Sequence, residues 1–235
     1  MLLITDERIE KVSLSALVDL AFEPILLPQS DYLSKPVAGH TDMLIFIGFG
    51  SLFCHEKYYE KNSALIDRIC ALSGSELTLS NEPTGNKYPF DVLFNACIVG
   101  KRLVCNEKTV SQMILNAAFE NGYEVINVPQ GYTKCSVCVV SDNAIITADK
   151  AISTACAFHG IDVLTVSEGH VSLPPYDYGF IGGASGCFGD NVFFCGNISS
   201  CPDGALIAKF CAKHKKNAIS LSDGELQDVG SLFFV

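Results

Sequence analysis

Leu3-Ile4-Thr5-Asp6-Glu7-Arg8 is the stretch that decides the fold, because versions of it return along the whole chain. Leu52-Phe53-Cys54-His55-Glu56-Lys57, Leu103-Val104-Cys105-Asn106-Glu107-Lys108 and Ile145-Ile146-Thr147-Ala148-Asp149-Lys150 keep its order: an apolar pair, a Thr or Cys, then an acid and a base. Phe193-Phe194-Cys195-Gly196-Asn197 is the weakest copy. The anchors fall at 5, 54, 105, 147 and 195, so the steps are 49, 51, 42 and 48 residues. Self-similarity at a nearly fixed period means that one supersecondary unit is stacked to bury faces it cannot bury alone.

Each period reads as strand, strand, helix, strand. In the copy around Thr147, residues 136–141 and 144–147 are short β-rich runs, and 149–159 has helical apolar spacing at Ile152, Ala155, Cys156 and Phe158. Gly160 stops that helix, and 162–166 is a third strand. Helices are expected near 8–21, 59–72, 109–121 and 204–213, each followed by an apolar strand at 25–27, 76–79, 124–128 and 218–221. The first strands of the units, the inner ones, are expected at 42–48, 91–98, 135–141, 178–184 and 229–235.

The ends of the chain carry a further expectation. Residues 2–5 read as the second strand of a unit with no first strand before them, and 229–235 read as a first strand with no second after them. One unit is split between the termini, and pairing its halves would close a ring of five units and remove the exposed sheet edges of an open array. The expectation is a single domain over 1–235, with units 229–235 plus 1–41, 42–90, 91–134, 135–176 and 177–228.

Composition narrows the function classes. With 49% hydrophobic and 18% charged residues the chain has ample material for a core, and no apolar run approaches the ~18 residues of a membrane span. The start matches the repeat and lacks the basic opening of a signal peptide, so a cytoplasmic protein with no membrane partner is expected. A net charge of -10 argues against a nucleic-acid partner, whose phosphates need clustered Lys and Arg. The 11 cysteines are spread along a long chain, and reduced thiols are expected.

A β-β-α-β unit repeated five times resembles the pentein fold of the guanidino-group-modifying enzymes, among them arginine deiminase, agmatine deiminase, dimethylargininase and amidinotransferases. A ribosome anti-association factor shares that fold without catalysis. The words Gly179-Phe180-Ile181-Gly182-Gly183-Ala184-Ser185-Gly186 and Asp228-Val229-Gly230-Ser231 resemble an uncharacterised bacterial branch. The resemblance implies an α/β five-bladed propeller with a site at one end of its axis, built from the starts of the inner strands and the loops before them.

Asp42, Asp91, Cys135, Asp177 and Asp228 open those strands, and the loops carry Glu82, Tyr132, Lys134, Glu168 and His170. Taken singly, each Asp reads as a turn or strand-entry cap. Taken as a ring, the acids suit a small cationic guanidino or amino ligand, with Asp42, Asp91, Asp177, Asp228, Glu82, Glu168 and Tyr132 holding it. The enzyme pattern itself is broken. The nucleophile's place in the last strand falls at Phe234, and the segment Tyr176-Asp177-Tyr178-Gly179-Phe180, where the resemblance implies a His, has none.

Two readings of function remain open. In one, the chain is a hydrolase or amidinotransferase-like enzyme with a relocated nucleophile at Cys135, activated by His170 or Lys134 as cationic neighbours. In the other it is a non-catalytic binder of a small cation or a protein partner. Cys135 and Cys138 do not form a redox pair, because residues three apart on a strand face opposite ways. His40, Asp42 and His170 could meet only across three loops, so neither a metal nor a cofactor is expected.

Overall fold

The apolar pair of each signature lies on a strand buried along nearly its whole length, which is why these runs are continuously hydrophobic rather than alternating. The computed structural model describes residues 1–235. Its elements in chain order are β1 (Leu2–Asp6), α1 (Lys11–Asp19), β2 (Glu23–Leu27), a helical turn α2 (Thr41–Leu44), β3 (Ile45–Gly48), β4 (Ser51–His55), α3 (Glu56–Ser73) and β5 (Glu76–Ser80). Then come β6 (Cys97–Val99), β7 (Arg102–Cys105), α4 (Gln112–Glu120), β8 (Glu124–Asn127), a second helical turn α5 (Thr133–Ser136), β9 (Cys138–Ser141), β10 (Ala144–Thr147), α6 (Lys150–Phe158) and β11 (Asp162–Thr165). The chain ends with β12 (Val171–Ser172), β13 (Ser185–Phe188), β14 (Asn191–Phe194), α7 (Gly204–Lys213), β15 (Asn217–Ser220), β16 (Leu226–Gln227) and β17 (Phe233–Phe234). No helix is long and apolar enough to cross a membrane.

Five three-stranded sheets repeat one topology: β17-β1-β2, β3-β4-β5, β6-β7-β8, β9-β10-β11 and β13-β14-β15. In each, the first two strands are antiparallel and the helix crosses over to a third strand parallel to the second. The split unit pairs as expected, with Leu3 opposite Phe234 and Ile4 opposite Phe233. Leu2 N donates to Val235 O and Val235 N to Leu2 O, both at 3.1 Å.

The crossover helices start and stop on local signals. Asp149 caps α6 by accepting from Ala151 N and Ile152 N, and Ser111 caps α4 by accepting from Met113 N. Gly74, at φ +68°, ends α3 in the left-handed conformation that glycine adopts without penalty. The buried face of α6 is Ile152 and Cys156, one helical turn apart.

Five apolar clusters form the core, and each joins neighbouring units. Ile4 and Ile25 pack with Leu52 and Ile66, Phe53 with Leu103 and Ile114, and Val104 with Ile145 and Ile152. Ile146 packs with Phe194 and Ile207, while Phe193 and Leu221 pack with Leu3 and Leu17, joining the last unit to the first.

The inner strands are shorter and later than the sequence suggests. They begin at Ile45, Cys97, Cys138, Ser185 and Phe233, and the residues expected to open them lie in turns, in irregular backbone or in the short helices α2 and α5. The segment 178–184, expected as a strand, is not one. Sterics account for it: a Cβ at Gly182 would lie 2.4 Å from Lys134 O, and one at Gly183 would lie 2.0 Å from Asp228 Oδ1. The Gly182-Gly183 pair lets backbone pass where a strand with side chains would not fit.

Candidate functional site

Because the inner strands start late, the turns before them converge, and each turn brings a different polar residue to the same place. Asp42, from α2, is fully buried. Asn95, from the turn before β6, is 1% exposed, and Ser231, from the turn before β17, is fully buried. Cys135, from α5, completes the group at 3% exposure.

Hydrogen bonds tie these four residues into one plug. Asn95 Nδ2 donates to Asp42 O at 3.1 Å and to Cys135 Sγ at 3.0 Å. Asn95 Oδ1 accepts from Lys134 N at 2.7 Å and from Cys135 N at 3.2 Å. The Cys135 thiol donates to Asp42 Oδ1 at 3.3 Å. Ser231 Oγ lies 2.6 Å from Asp42 Oδ2 and 3.0 Å from Gly182 O, and it accepts from Lys134 Nζ at 2.8 Å. Ser231 adopts φ +74°, a left-handed conformation that costs a residue with a side chain, and these bonds hold it there.

Asp228 stands beside the plug, 6% exposed, and accepts from Phe180 N at 2.9 Å and Gly230 N at 3.0 Å. His40 Nδ1 lies 3.7 Å from Asp228 Oδ1, too far for a hydrogen bond, and has no partner. Burial sets the protonation of the whole group. It raises Asp42 above the usual carboxylate range, pushes Asp228 up to about 6, and lowers His40 below an ordinary imidazole. Burial, followed by the charges of Asp42 and Asp228, raises the Cys135 thiol well above its usual value. The thiol is therefore held protonated, as the hydrogen-bond donor to Asp42.

A cavity of about 350 Å³ opens onto this floor, with His40, Cys135 and Asp228 at its base. Tyr132, Phe180, Tyr176 and Tyr178 wall it, with the exposed Asp177 among them. Tyr132 and Phe180 stack with centroids 6.1 Å apart and planes at 24°, and Tyr132 OH donates to Asp91 Oδ2 at 2.7 Å. Asp91 is 5% exposed and raised by burial, and its Oδ1 has no partner.

The expected ring is thus brought together only in part. Asp42, Cys135 and Asp228 meet, Asp177 reaches the cavity rim, and Asp91 is reached through Tyr132. The five are not structurally equivalent positions, because the hairpin registers differ from an even spacing. Ile4 pairs with Phe233 and Val104 with Cys97, so Ser231 and Asn95, each two residues ahead of its strand's paired position, are the matching pair. The hairpin register, and not the nearest acid in sequence, marks both.

Four expected site residues lie elsewhere. His170 lines a separate cavity of about 220 Å³ with Asp203 and Glu168, and the side chains acting on the Cys135 thiol are Asp42, Asp228 and Asn95. Glu168 accepts from Tyr178 OH at 3.3 Å, so it supports a wall of the mouth without lining it. Lys134 does not rim the mouth, because its side chain runs through the plug to a cavity on the far side. Glu82 accepts from Gln112 N at 3.0 Å and from Ser111 Oγ, which makes it a cap for α4. Phe234, at the expected nucleophile's place, packs 4.8 Å from Phe22 and 5.3 Å from Phe193, centroid to centroid.

Residues 4–233 match the model of a family described as "Family of unknown function (DUF6873)". The chain belongs to that family. No curated protein matches it. Among solved structures it is similar to DDAH from Pseudomonas aeruginosa, a cysteine-to-serine mutant complexed with citrulline, at TM-score 0.60 and 9% identity over 94% of this chain and 91% of that one. It is similar to an amidinotransferase from Microseira wollei at TM-score 0.56 and 10% identity, covering 94% and 88%. Agmatine deiminase of C. jejuni follows at TM-score 0.54 and 10% identity, covering 96% and 79%. These likenesses give the chain the pentein fold of the guanidino-modifying enzymes; at such identities they speak for the fold, and chemistry must be argued from the site.

Proposed function

We propose that this protein is a non-catalytic pentein that holds a small organic cation, a guanidinium or an amine, in the mouth cavity. The observation that carries the reading is Asp228: a buried carboxylate, beside a neutral imidazole, at the base of a pocket walled by four aromatic rings. A cation gains a charge-assisted hydrogen bond at the floor and ring quadrupoles at the walls, and Asp177 adds a second negative charge at the rim. The raised Cys135 thiol, with no imidazole or ammonium acting to lower it, supports binding over catalysis. The similar solved structures include proteins complexed with citrulline or joined to S-methyl-L-thiocitrulline, so the fold is one that holds small ligands of this class.

The same reading takes the five units as one domain closed into a five-bladed ring, supported by the paired terminal strands and by the cluster joining the last unit to the first. Eleven free cysteines fit a reducing compartment, and we take it to be the cytoplasm.

Calorimetric titration with agmatine, arginine and methylguanidine, against neutral urea and citrulline, tests the reading. Cations bind, neutral analogues do not, and Asp228→Asn weakens binding at least tenfold while Cys135→Ser leaves it unchanged. One observation favours the enzymatic alternative, since Cys135 does line the cavity. Release of a ureido product from any of these compounds, lost in Cys135→Ser, would establish that alternative, and absence of cation binding would remove both.

A further inference from the structure

The plug separates two cavities of opposite character. On the far side from the mouth lies a pocket of about 230 Å³ whose walls are almost wholly apolar, with Phe46, Ile98, Val139, Leu232 and Phe233 prominent among them. Lys134 is the only charged side chain lining it. Its Nζ sits 5.8 Å from the centroid of the Phe233 ring and makes one hydrogen bond, to Ser231 Oγ at 2.8 Å. An ammonium carries three donors, so two are left without a protein partner. Lys134 also makes no ion pair, and Asp42, the plug's own carboxylate, is reached only through Ser231.

The buried carboxyls of Asp42 and Asp228 offset part of the Lys134 charge, yet neither bonds the two open donors, and a half-buried cation facing an apolar cavity gains by taking an anion there, because desolvating a charge is costly unless a partner of opposite sign compensates it. We propose that the far-side cavity is a second site, for a small monocarboxylate with an apolar body. The carboxylate takes the two free Lys134 donors as charge-assisted bonds, and the alkyl or aryl body covers Ile98, Val139 and Leu232. The volume sets the size. It falls below the roughly 300–1,000 Å³ of pockets for drug-sized ligands, so the body is one ring or a short chain. A dicarboxylate or a phosphate does not fit this chemistry, since nothing in the lining would pair a second negative charge.

Titration of the whole protein with benzoate and hexanoate, against benzamide and hexanamide, tests the proposal independently of the mouth. The acids bind and the amides of the same shape do not. Lys134→Met weakens the acids at least tenfold, and Lys134→Arg keeps them within about threefold, as a preserved positive charge should. Should Lys134→Met fail to fold, Ile98→Trp decides the matter: Ile98 is half-buried on the cavity wall, and the larger ring fills the pocket and abolishes binding while the mouth still takes its cation. Amides binding as tightly as the acids, acids binding Ile98→Trp as they bind the native protein, or no binding of either acid would each overturn it.

Discussion

The bodies of the repeats and the axial plug are built by opposite rules. In the bodies, equivalent positions carry interchangeable residues: Ile4, Phe53, Val104, Ile146 and Phe194 all sit on middle strands, buried, filling the same kind of space. In the plug, each turn contributes a different residue, Asp42, Asn95, Cys135, the glycine pair 182–183 and Ser231, and none could be exchanged for another. Apolar packing asks for volume and period, which repetition supplies. A buried polar network asks for matched donors and acceptors, which breaks the symmetry of its frame.

The largest expected effect lies in the bodies. Phe194 is fully buried between β10 and α7, so Phe194→Ala should cost about 3–5 kcal/mol, read as a shift of the urea midpoint. Its effect on cation binding, measured where the protein is still folded, should be nil. Next comes the plug. Asn95→Ala orphans the backbone N–H groups of Lys134 and Cys135, at about 1–2 kcal/mol each, and should remove roughly 2–4 kcal/mol. It should also weaken the mouth, because the Cys135 turn is part of the cavity floor. A cost under about 0.5 kcal/mol would mean that water replaces Asn95 and that the plug is not the sealed network described above.

That contrast explains how far the sequence could be read. The units, their order and the pairing of β1 with β17 follow from apolar spacing and from the signature around Thr5, because packing and period are local properties of a chain. Helix α6 falls close to where the run from Asp149 and the stop at Gly160 put it. The site is different. Asp42 and Cys135 could be picked out as unusual at their positions, but their partners Asn95 and Ser231 look ordinary in sequence and acquire meaning only from register. Lys134 and Cys135 are adjacent, yet α5 sends one to the far cavity and the other to the mouth, and no periodicity in the strand-like run 135–141 announces that turn. Glu82 and His170 suit a site by chemistry alone, and the chain uses Glu82 to cap α4 and places His170 beside Asp203.

A smaller effect is expected in the pH dependence of the mouth. Cation binding needs the Asp228 carboxylate, whose pKa is about 6, so affinity should be flat above about pH 7 and fall roughly tenfold per unit well below 6. Stability should move the other way for this group. A carboxylate raised above its unfolded value of 3.8 contributes stability that is present below that value and lost as pH rises toward about 6. His40, lowered from 6.5, opposes it, since its contribution is present above 6.5 and lost as pH falls. A binding profile flat through pH 5 would exclude Asp228 as the counter-charge, and calorimetry across pH 5–8 reads it directly.

The smallest effect should come from the rim, where units also touch but do so through solvated charge. Arg68 of α3 bonds Glu23 of β2, Nη2 to Oε1 at 2.7 Å, with the two side chains 56% and 59% exposed. The pair joins two units, as the Asn95 bonds do, and its distance is as good as theirs. Water already solvates both groups, so the folded chain gains little by bringing them together, and ordering two long side chains offsets part of that gain. Arg68→Met keeps the aliphatic stem over its neighbours and removes only the charge. It should change stability by less than about 0.5 kcal/mol, and the difference should vanish near 1 M salt, where screening acts over ~3 Å. If Arg68→Met cost as much as Asn95→Ala, contact between units rather than burial of polar groups would set the energy of the joint, and the distinction between axis and rim would fall.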